Sequence, residues 1–348
     1  MIEALAAVAP GTSVREGLDR ILHARMGAFI VMGDGEDVLA RCSGGFELDT
    51  EFSPQRLCEL AKMDGAIVLG HSGRIARVNV HMVPDRTVAT DETGTRHRSA
   101  ERLARSVDVP VIAVSEDRSS MTVYRHNEKH ELQPVPDLIA RANQALQTLE
   151  RYRQRLDAVT GALTALEMAD LATLRDVANV LQRTEMVRRI AEEIDSYVVE
   201  LGDEGRLVLL QLEEMMAGVV DDRRLVVRDY IEADNAMPTV DAVRRLAQLS
   251  TEDLLSLDMI ARVLRHDTEL IGLDTPLQPR GYRLLTRVPR IGELVIEVLV
   301  EHFGNLQAIL EAGQGEIELV EGIGPSGAPA IHEGLARLSD AGLVDRHL

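Results

Sequence analysis

The sequence predicts an α/β N-terminal domain with a mixed sheet flanked by helices, then an all-α spine, then a C-terminal pair of helical hairpins. Three observations predict this order. Apolar, β-rich runs alternate with amphipathic helices to about residue 135, helical periodicity follows to about 275, and a weak internal repeat occupies the rest. A chain of 348 residues also exceeds the size that one core usually serves. We therefore predict domains over residues 1–135, 136–275 and 276–348.

The first region contains five apolar runs that are typical of strands. They cover residues 27–33, 66–70, 76–83, 109–115 and 121–125. Helices are predicted over residues 14–25, 53–63 and 99–106. Ser53 followed by Pro54 is typical of an N-cap and the first helical residue. Mixed strands and helices of this kind predict an α/β sandwich around one sheet.

The middle region is rich in Ala, Leu, Glu, Arg and Gln and has almost no strand signal, which predicts helices. The simplest interpretation of its many charged residues is that they form a solvent-exposed helix face. The alternative is that they bind a ligand or partner. The segment from Ile271 to Tyr282 carries two prolines and two glycines. Such a segment indicates a domain boundary.

The last region contains a repeat offset by 32 residues. Val288 to Gly292 and Val320 to Gly324 share the pattern apolar, x, x, Ile, Gly, and each continues as an amphipathic helix. This predicts two hairpins packed as one unit. Pro329 is expected to shorten or displace the second helix. From Gln278 onward, six arginines stand against ten acidic residues, a poor charge balance for binding duplex DNA.

Composition excludes several classes of protein. The net charge of −19 disfavours a broad grip on nucleic acid or an anionic membrane, so anions must be bound by local clusters. Lys62 and Lys129 are the only lysines and neither fits a Walker P-loop, so a phosphate site must use arginines and backbone amides. Two cysteines are too few for a disulfide framework. The sequence has no run of eighteen apolar residues, and a cytoplasmic protein is expected.

Two short polar stretches in the first region are candidates for a ligand site. Asp64 and Gly65 stand directly before an apolar strand, although such a pair is also a common turn. In the second stretch, Thr95 or Ser99 can cap a helix whose N-terminal amides favour an anion. Arg96 and Arg98 add guanidinium groups there that can donate bidentate hydrogen bonds to a phosphate. The alternative is an exposed basic turn paired with the acids at positions 91 and 92.

The segments KMDGAIVL, RVNVHMVPD, DETGTRHRSAERLA and VPVIAVSED, in this order and spacing, resemble the diadenylate cyclase domain. The signature of that family is a DGA motif and an RHR motif. Here these are Asp64, Gly65 and Ala66, and Arg96 to Arg98, and both are intact. The helical middle and the terminal repeat extend the resemblance over nearly the whole chain, to the DNA integrity scanning branch of the family. Its terminal domain is a double helix-hairpin-helix.

The resemblance implies condensation of two ATP molecules into cyclic di-AMP and two pyrophosphates. Each ATP presents its 3′-hydroxyl to the α-phosphorus of the other, so two sites must face each other across a dimer interface. Asp64 is then the ligand of Mg²⁺ or Mn²⁺ and helps to deprotonate the hydroxyl. A homo-oligomer, an octamer by family, is also implied.

Further residue roles follow from the same resemblance. Arg96 and Arg98 hold the triphosphate, and His97 and Thr95 contact phosphate or ribose. Other nucleotide contacts fall on Gly65, Ala66, Met82, Ser99, Ser115, Glu116 and Arg118. The alternatives are that Met82 is plain core and that Ser115 and Glu116 merely end a strand. His71, His81 and His126 receive no role.

For the terminal repeat the resemblance implies binding of branched DNA through backbone amides at the hairpin turns. Gly322, Ile323 and Gly324 fit such a turn, while the first copy is degenerate and adds Arg290. The acidic charge balance leaves a packing or protein-binding role as the alternative. A different class remains open for the whole chain: a nonenzymatic branched-DNA sensor whose nucleotide pocket only binds a ligand.

Overall fold

A computed structural model describes residues 1–71, 73–232, 239–288 and 291–344. The chain divides into two compact units. The first comprises Met1–Ala145 and Glu193–Gln211, and the second comprises Leu146–Glu192 and Leu212–Leu348. The division into three domains stays a prediction.

The first unit is built on a mixed sheet of eight strands, which confirms the predicted α/β class. The strands are β1 (Ala28–Met32), β2 (Cys42–Ser43), β3 (Phe46–Glu51), β4 (Ala66–Leu69), β5 (Arg74–Met82), β6 (Val111–Ser115), β7 (Ser120–Arg125) and β8 (Glu128–Leu132). Their order is β2-β5-β4-β1-β6-β7-β8, with β3 pairing with β5. The helices beside them are α1 (Ile2–Ala7), α2 (Ser13–His23), α3 (Glu36–Leu39), α4 (Pro54–Leu60) and α5 (Thr95–Ala104).

The central strands are buried on both faces, because successive side chains of a strand point to opposite sides of the sheet. Ile30 of β1 belongs to one apolar cluster, together with Leu18 of α2. Its neighbour Val31 belongs to a second cluster, together with Leu103 of α5. Strands that are covered on both faces carry continuous apolar runs, and for this reason the sequence predicted them correctly.

Three strands, β2, β3 and β8, were not predicted from the sequence. The strand β3 is mostly exposed, and β8 reads EKHEL. Both owe their conformation to pairing: β3 pairs antiparallel with β5, and β8 pairs antiparallel with β7 across a two-residue loop. Polar edge strands lack the apolar pattern that predicts a strand, so only their neighbours reveal them.

The remainder of the described chain is helical, as predicted. The helices are α6 (Val135–Met168), α7 (Leu174–Leu201), a 3₁₀ turn (Gly202–Gly205), α8 (Arg206–Met216), α9 (Val219–Tyr230), α10 (Thr239–Gln248), α11 (Thr251–Leu255), α12 (Leu257–Val263), α13 (Thr268–Ile271), α14 (Tyr282–Leu285), α15 (Glu293–Phe303), α16 (Leu306–Glu311), α17 (Gln314–Glu318) and α18 (Gly324–Val344). Among the described residues, no helix has both the length and the apolar character that a bilayer span requires.

Residues from both copies of the terminal repeat belong to one apolar core, and their arrangement as two hairpins stays a prediction. Val288 and Val320, which open the two copies, both belong to it, with Leu299 of α15 and Ile331 of α18. The expectation for Pro329 is wrong, since α18 continues through it. A proline early in a helix forfeits a single backbone hydrogen bond, and packing of the rest of the helix outweighs that cost.

A buried carboxylate ties α14 to α9 within the second unit. Asp229 accepts hydrogen bonds from the backbone N–H groups of Gly281, Tyr282 and Arg283, at 2.8, 2.7 and 2.9 Å. The Arg283 guanidinium is fully buried and pairs with Glu167. These bonds satisfy the orphan amides at the start of α14. They anchor the chain just ahead of the terminal repeat.

In the first unit a histidine of β8 predicts a pH-dependent stability. His130 Nε2 lies 2.7 Å from the nearly buried Glu200 carboxylate of α7. That hydrogen bond raises the pKa of His130 above its ordinary value, although burial opposes it. The stabilisation is therefore fully present below about pH 6.5 and is lost as pH rises through the raised pKa.

We expect the unfolding temperature to fall more steeply between about pH 6 and pH 8 in the unmodified protein than in the His130→Gln variant. Thermal unfolding followed by circular dichroism measures both slopes. The control is His23→Gln, because His23 is exposed and contacts only a backbone carbonyl. Equal slopes for the unmodified protein and the His130 variant would contradict the assignment.

Candidate nucleotide-binding site

A cavity of about 450 Å³ opens at one edge of the sheet, where four strand ends meet. The register pairs Ala28 with Val114, Phe29 with Ala66, and Ala66 with Val80. The starts of β1 and β4 and the ends of β5 and β6 therefore lie together. The N-terminus of α5 completes the wall. The lining residues are Phe29, Gly65, Val80, His81, Met82, Gly94, Thr95, Arg96, His97, Ser99, Ser115, Glu116 and Asp117.

The start of α5 differs from the prediction. The helix begins at Thr95, four residues earlier than expected, and its N-cap is Gly94. Neither Thr95 nor Ser99 caps it, and no side chain accepts a hydrogen bond from the first turn. The RHR motif thus lies inside the first turn of the helix. Thr95, Arg96 and His97 line the cavity, and within the described ranges their backbone amides have no hydrogen-bond partner, as at any helix start that favours an anion.

The two arginines of the motif have different surroundings. Arg96 lines the cavity, and its guanidinium lies over Gly27, where a Cβ atom would stand 2.1 Å from Nη1. Arg98 lies outside the lining, and its Nε donates to the Glu92 carbonyl oxygen at 3.2 Å. Residues two apart on a helix point about 200° apart around its axis, so the two guanidinium groups diverge. Of the two, only Arg96 is placed to donate hydrogen bonds to an anion in this cavity.

Gly65 approaches the neighbouring strand too closely for any other residue. Its φ is +95°, and an added Cβ would lie 2.9 Å from the carbonyl carbon of Asn79 and 2.9 Å from the carbonyl oxygen of Val80. Both atoms belong to the backbone of β5, which cannot rotate away. The glycine of the DGA motif is therefore required by strand packing as well as by access to the cavity.

We expect Gly65→Ala to lower the free energy of unfolding by about 3 kcal/mol and to weaken ATP binding, because β5 must shift. Chemical unfolding and calorimetric titration with ATP measure the two effects. Gly44→Ala is the matched control: its φ is +67°, and no atom of the described residues lies within 4 Å of the added Cβ. A Gly65 variant no less stable than the Gly44 variant would refute the close-packing explanation.

The other two residues of the DGA motif lie on opposite sides of Gly65. Asp64 is exposed and forms no hydrogen bond or ion pair within the described part of the chain. The Ala66 methyl is fully buried in the core, so only its backbone is available to a ligand. Asp64 itself is not among the lining residues, although its neighbour Gly65 is, and its carboxylate oxygens are unengaged within the described part of the chain.

A single free carboxylate cannot form a metal site by itself. It is suited to a cation that is already bound to the phosphates of a ligand. In the described ranges, no group of three or more His, Cys, Asp or Glu side chains is arranged to hold a metal. Mg²⁺ commonly binds through one or two carboxylates and completes its coordination with substrate phosphates and water. Asp64 suits that mode, and its oxygens suit Mn²⁺ equally.

His97 is buried and joined to a polar network behind the cavity. Its Nδ1 lies 2.8 Å from the Tyr124 hydroxyl, which donates to Glu92 at 3.1 Å. Burial lowers the pKa of His97, and the positive charges of Arg118 and Arg96 lower it further. The imidazole is consequently neutral near pH 7.

The remaining candidates divide between the wall and its surroundings. Met82 is 4 % exposed, so it belongs to the core and also lines the cavity. Ser115 and Glu116 line it too, and Ser115 Oγ accepts from the Arg118 amide at 3.3 Å. The Arg118 side chain lies outside the lining. It contributes charge, as the lowered pKa of His97 indicates.

Sequence reasoning did not identify five of the lining residues. These are Phe29, Val80, His81, Gly94 and Asp117. Phe29 and Val80 looked like ordinary strand residues, and His81 received no role. Proximity to the motifs in sequence could have revealed Gly94 and Asp117, which flank predicted site residues. Phe29, Val80 and His81 lie at the cavity because of the pairing register of their strands, which the sequence does not show.

The predicted DNA turn is partly described. Gly322 and Gly324 have φ of +86° and +62°, and Ile323 between them is buried in the core of the repeat. The turn directly precedes α18. Arg290, the charge expected in the first copy, lies outside the described residues.

Comparison with known proteins agrees with this architecture. The family model for the nucleotide-binding region of the DisA bacterial checkpoint controller matches residues 15–129, and the model for its linker region matches residues 132–271. A protein of Frankia alni named DNA integrity scanning protein DisA is 51% identical over 346 residues, covering 99% of this chain and 96% of that protein. The chain belongs to the DNA integrity scanning protein DisA family. Its N-terminal unit carries the diadenylate cyclase domain.

A second relative and one solved structure were also found. A relative of the same name from Kineococcus radiotolerans is 50% identical, with 99% of this chain and 97% of that protein covered. A solved structure of DacA from Staphylococcus aureus is 24% identical, with 37% of this chain and 86% of that chain covered and a TM-score of 0.29. The chain is a diadenylate cyclase by family.

Proposed function

We propose that this chain condenses two ATP molecules into cyclic di-AMP with release of two pyrophosphates. Each 3′-hydroxyl oxygen forms a bond to the α-phosphorus of the other nucleotide. Each bond from an α-phosphorus to its bridging oxygen breaks, and two protons leave with the products. This reaction requires two nucleotides held face to face.

One observation carries the proposal: an uncapped helix start and an arginine line the same cavity, and a free carboxylate adjoins one of its lining residues in sequence. The first-turn amides of α5 and the Arg96 guanidinium supply anion donors without any lysine. Asp64 is exposed and directly precedes the lining residue Gly65. The combination suits a nucleoside triphosphate with its cation and is poorly explained by a purely structural turn.

The wall also suggests how the nucleotide is oriented. We assign the adenine to the apolar part of the wall, beside Met82 and Phe29, and the phosphates to Thr95, Arg96 and Ser99. Asp64 would hold Mg²⁺ or Mn²⁺, which supplies charge neutralisation at the phosphates when bound. Catalysis then consists mainly of positioning and electrostatic stabilisation.

A second protomer is required by this scheme. The cavity holds one nucleotide in a suitable orientation, and the attacking hydroxyl of a second must come from a facing copy. We propose a homo-oligomer in which cyclase domains pair head to head, with an octamer as the family assembly. Light scattering tests the assembly size independently of turnover.

The direct test is incubation with ATP and Mn²⁺ or Mg²⁺, followed by chromatography for cyclic di-AMP. We expect product, and we expect the rate per protomer to rise with protein concentration until the dimer saturates. Binding of ATP without product at every concentration would reject the enzymatic proposal. The chain would then be a nonenzymatic sensor whose pocket only binds a ligand.

We also propose that cyclase activity is coupled to binding of branched DNA by the terminal repeat. The support is the turn at Gly322 and Ile323 that leads into Gly324, the first residue of α18; the Ile323 amide is bonded to the Val320 carbonyl oxygen, which leaves the glycine amides for a phosphate. Six arginines against ten acids from Gln278 onward argue for few phosphate contacts. Binding should therefore be weak, and its salt dependence should be shallow because few phosphates are neutralised.

A gel-shift titration with a four-way junction across a salt series tests this proposal. We expect a shift at low ionic strength that fades as salt rises, and a shift weakened several-fold by Gly322→Ala, because the left-handed turn is lost. Gly272→Ala is the control, with φ of +73° and open space around its Cβ. Failure to shift the junction at low salt would assign the repeat to packing or to protein binding.

A further inference from the structure

A chain of hydrogen bonds leads away from the cavity, and His97 is its member at the cavity wall. Its Nδ1 lies 2.8 Å from the Tyr124 hydroxyl, which lies 3.1 Å from Glu92 Oε1. Lys129 Nζ lies 3.1 Å from the same oxygen. Tyr124 is only 1 % exposed, so the middle of the chain is shielded from water.

The direction of each hydrogen bond follows from the number of protons available. Burial acts to raise the pKa of Glu92, but the bonds from Lys129 and Tyr124 outweigh it and leave that pKa below its ordinary value. The carboxylate is therefore ionised and can only accept. The Tyr124 hydroxyl has one proton and uses it in the hydrogen bond to Glu92. Its oxygen must then accept the bond from His97, so Nδ1 carries the imidazole proton.

A threonine does not alter this assignment. Burial has the largest influence on the pKa of Tyr124 and raises it, whereas hydrogen bonding from Thr122 acts to lower it, so Thr122 counts as a donor to the phenolic oxygen. A phenol oxygen has two lone pairs, enough for Thr122 and for His97 together. Burial, the charge of Glu92 and its hydrogen bond raise the pKa of Tyr124, so the phenol keeps its proton.

The other ring nitrogen faces a different environment. His97 Nε2 is buried and has no hydrogen-bond partner in the described part of the chain. The ring lines the cavity, and its Cδ2 atom, bonded to Nε2, is the nearest atom to a Cβ built on the lining residue Gly94, at 3.8 Å. With the proton on Nδ1, Nε2 carries only a lone pair. A buried acceptor at a cavity wall lacks the donor that would satisfy it.

The charged groups around the ring keep it neutral. Burial is the largest influence that lowers the pKa of His97. Arg118, on the β6–β7 connection, and Arg96, on α5, lower the pKa as well, whereas Glu92 and Glu131 raise it. A neutral ring with Nδ1 protonated cannot donate to a phosphate oxygen from Nε2.

We propose that Glu92 and Tyr124 hold His97 as its Nδ1–H tautomer, so that Nε2 accepts a hydrogen bond from a ribose hydroxyl of the bound nucleotide. The proposal rests on the proposed function, because it assumes that the cavity takes ATP. It selects ribose over phosphate for the contact of His97, since an acceptor repels a phosphate oxygen. Tyr124 and Glu92 are positioning residues that act through His97.

The tautomer is tested first, on the ligand-free protein. Nitrogen NMR of protein labelled with ¹⁵N-histidine distinguishes a protonated ring nitrogen from one with a lone pair, and His97→Asn identifies the signals. We expect Nδ1 protonated and Nε2 unprotonated near neutral pH. Tyr124→Phe removes only the hydroxyl, and Nε2–H should then appear. Tyr197→Phe is the control, because that hydroxyl donates to the exposed Glu193 at 2.8 Å.

Glu92→Gln provides a second variant in case Tyr124→Phe folds poorly. A glutamine amide can donate to the phenol, which frees Tyr124 to donate to Nδ1, so a mixture of tautomers is expected. Protonation of Nε2 in the unmodified protein would overturn the proposal. The same holds if neither variant changes the tautomer.

The hydroxyl contact is tested by binding, in the Asp64→Asn background so that no product forms. Titrations compare ATP with 2′-deoxy-ATP and 3′-deoxy-ATP. One of the two analogues should bind about threefold to tenfold more weakly than ATP, as expected for one hydrogen bond, and Tyr124→Phe should reduce that preference. Equal binding of all three nucleotides would overturn the proposal. The outcome is independent of turnover, so loss of the enzymatic proposal would leave the tautomer result standing.

Discussion

Replacing Asp64 by Asn should lower cyclic di-AMP synthesis by about a thousandfold or more while leaving the assembly intact. A cation at the phosphates contributes several kcal/mol of charge stabilisation, and each 1.36 kcal/mol corresponds to about a tenfold change in rate. Asparagine keeps the shape of the side chain but loses its charge. Because Asp64 is exposed and has no hydrogen bond or ion pair within the described ranges, its loss should not disturb folding.

The measurement is product formation from ATP with Mn²⁺, together with light scattering and thermal unfolding. Asp137→Asn is the matched control, since Asp137 is an exposed acid of the first unit in the first turn of α6 and, unlike Asp64, does not adjoin a lining residue. Asp64→Asn with turnover within tenfold of the unmodified protein would remove Asp64 from its proposed role. Loss of the oligomer would point instead to a structural role.

Replacing Arg96 by Lys should lower kcat/KM for ATP by about tenfold to a hundredfold. Charge-assisted hydrogen bonds contribute about 1.5–3 kcal/mol each, and a lysine keeps the charge but loses the planar, bidentate donor. The guanidinium also lies over Gly27, a surface that a lysine ammonium would not cover in the same way. The loss should appear even though net charge is unchanged.

Steady-state kinetics at saturating metal measure the effect. Arg20→Lys is the control, because Arg20 is exposed and pairs with Glu16 on the surface of α2. If Arg96→Lys changes kcat/KM no more than this control does, the phosphates are not held by bidentate hydrogen bonds from Arg96. The amides at the start of α5 would then carry the binding.

The central strands and the motifs were predictable because their signals are local. The strands at residues 28–32 and 66–69 are buried on both faces and read as apolar runs in any context. The DGA and RHR motifs are contiguous, so each is recognisable from a few neighbouring residues. The helical middle followed in the same way from composition and periodicity.

The edge strands and the exact start of α5 were not predictable in this way. The strand β8 reads EKHEL, a polar segment that becomes a strand only through its pairing with β7. The serine at position 99 is the better N-cap by residue type, yet Gly94 occupies the cap. The helix therefore starts four residues before the predicted start, and these residues include the RHR motif. The preferences of single residues did not predict this extension.

The sequence by itself determined the α/β class of the first unit, the helical character of the rest, the two motifs and the need for a lysine-free phosphate site. Each follows from local periodicity or composition. Only the tertiary structure decided that Arg96 faces the cavity while Arg98 turns away, that Phe29 and His81 join the wall, and that His97 is bonded to Tyr124. These facts depend on strand register and helix phase, which bring together residues far apart in the chain, and no local pattern encodes them.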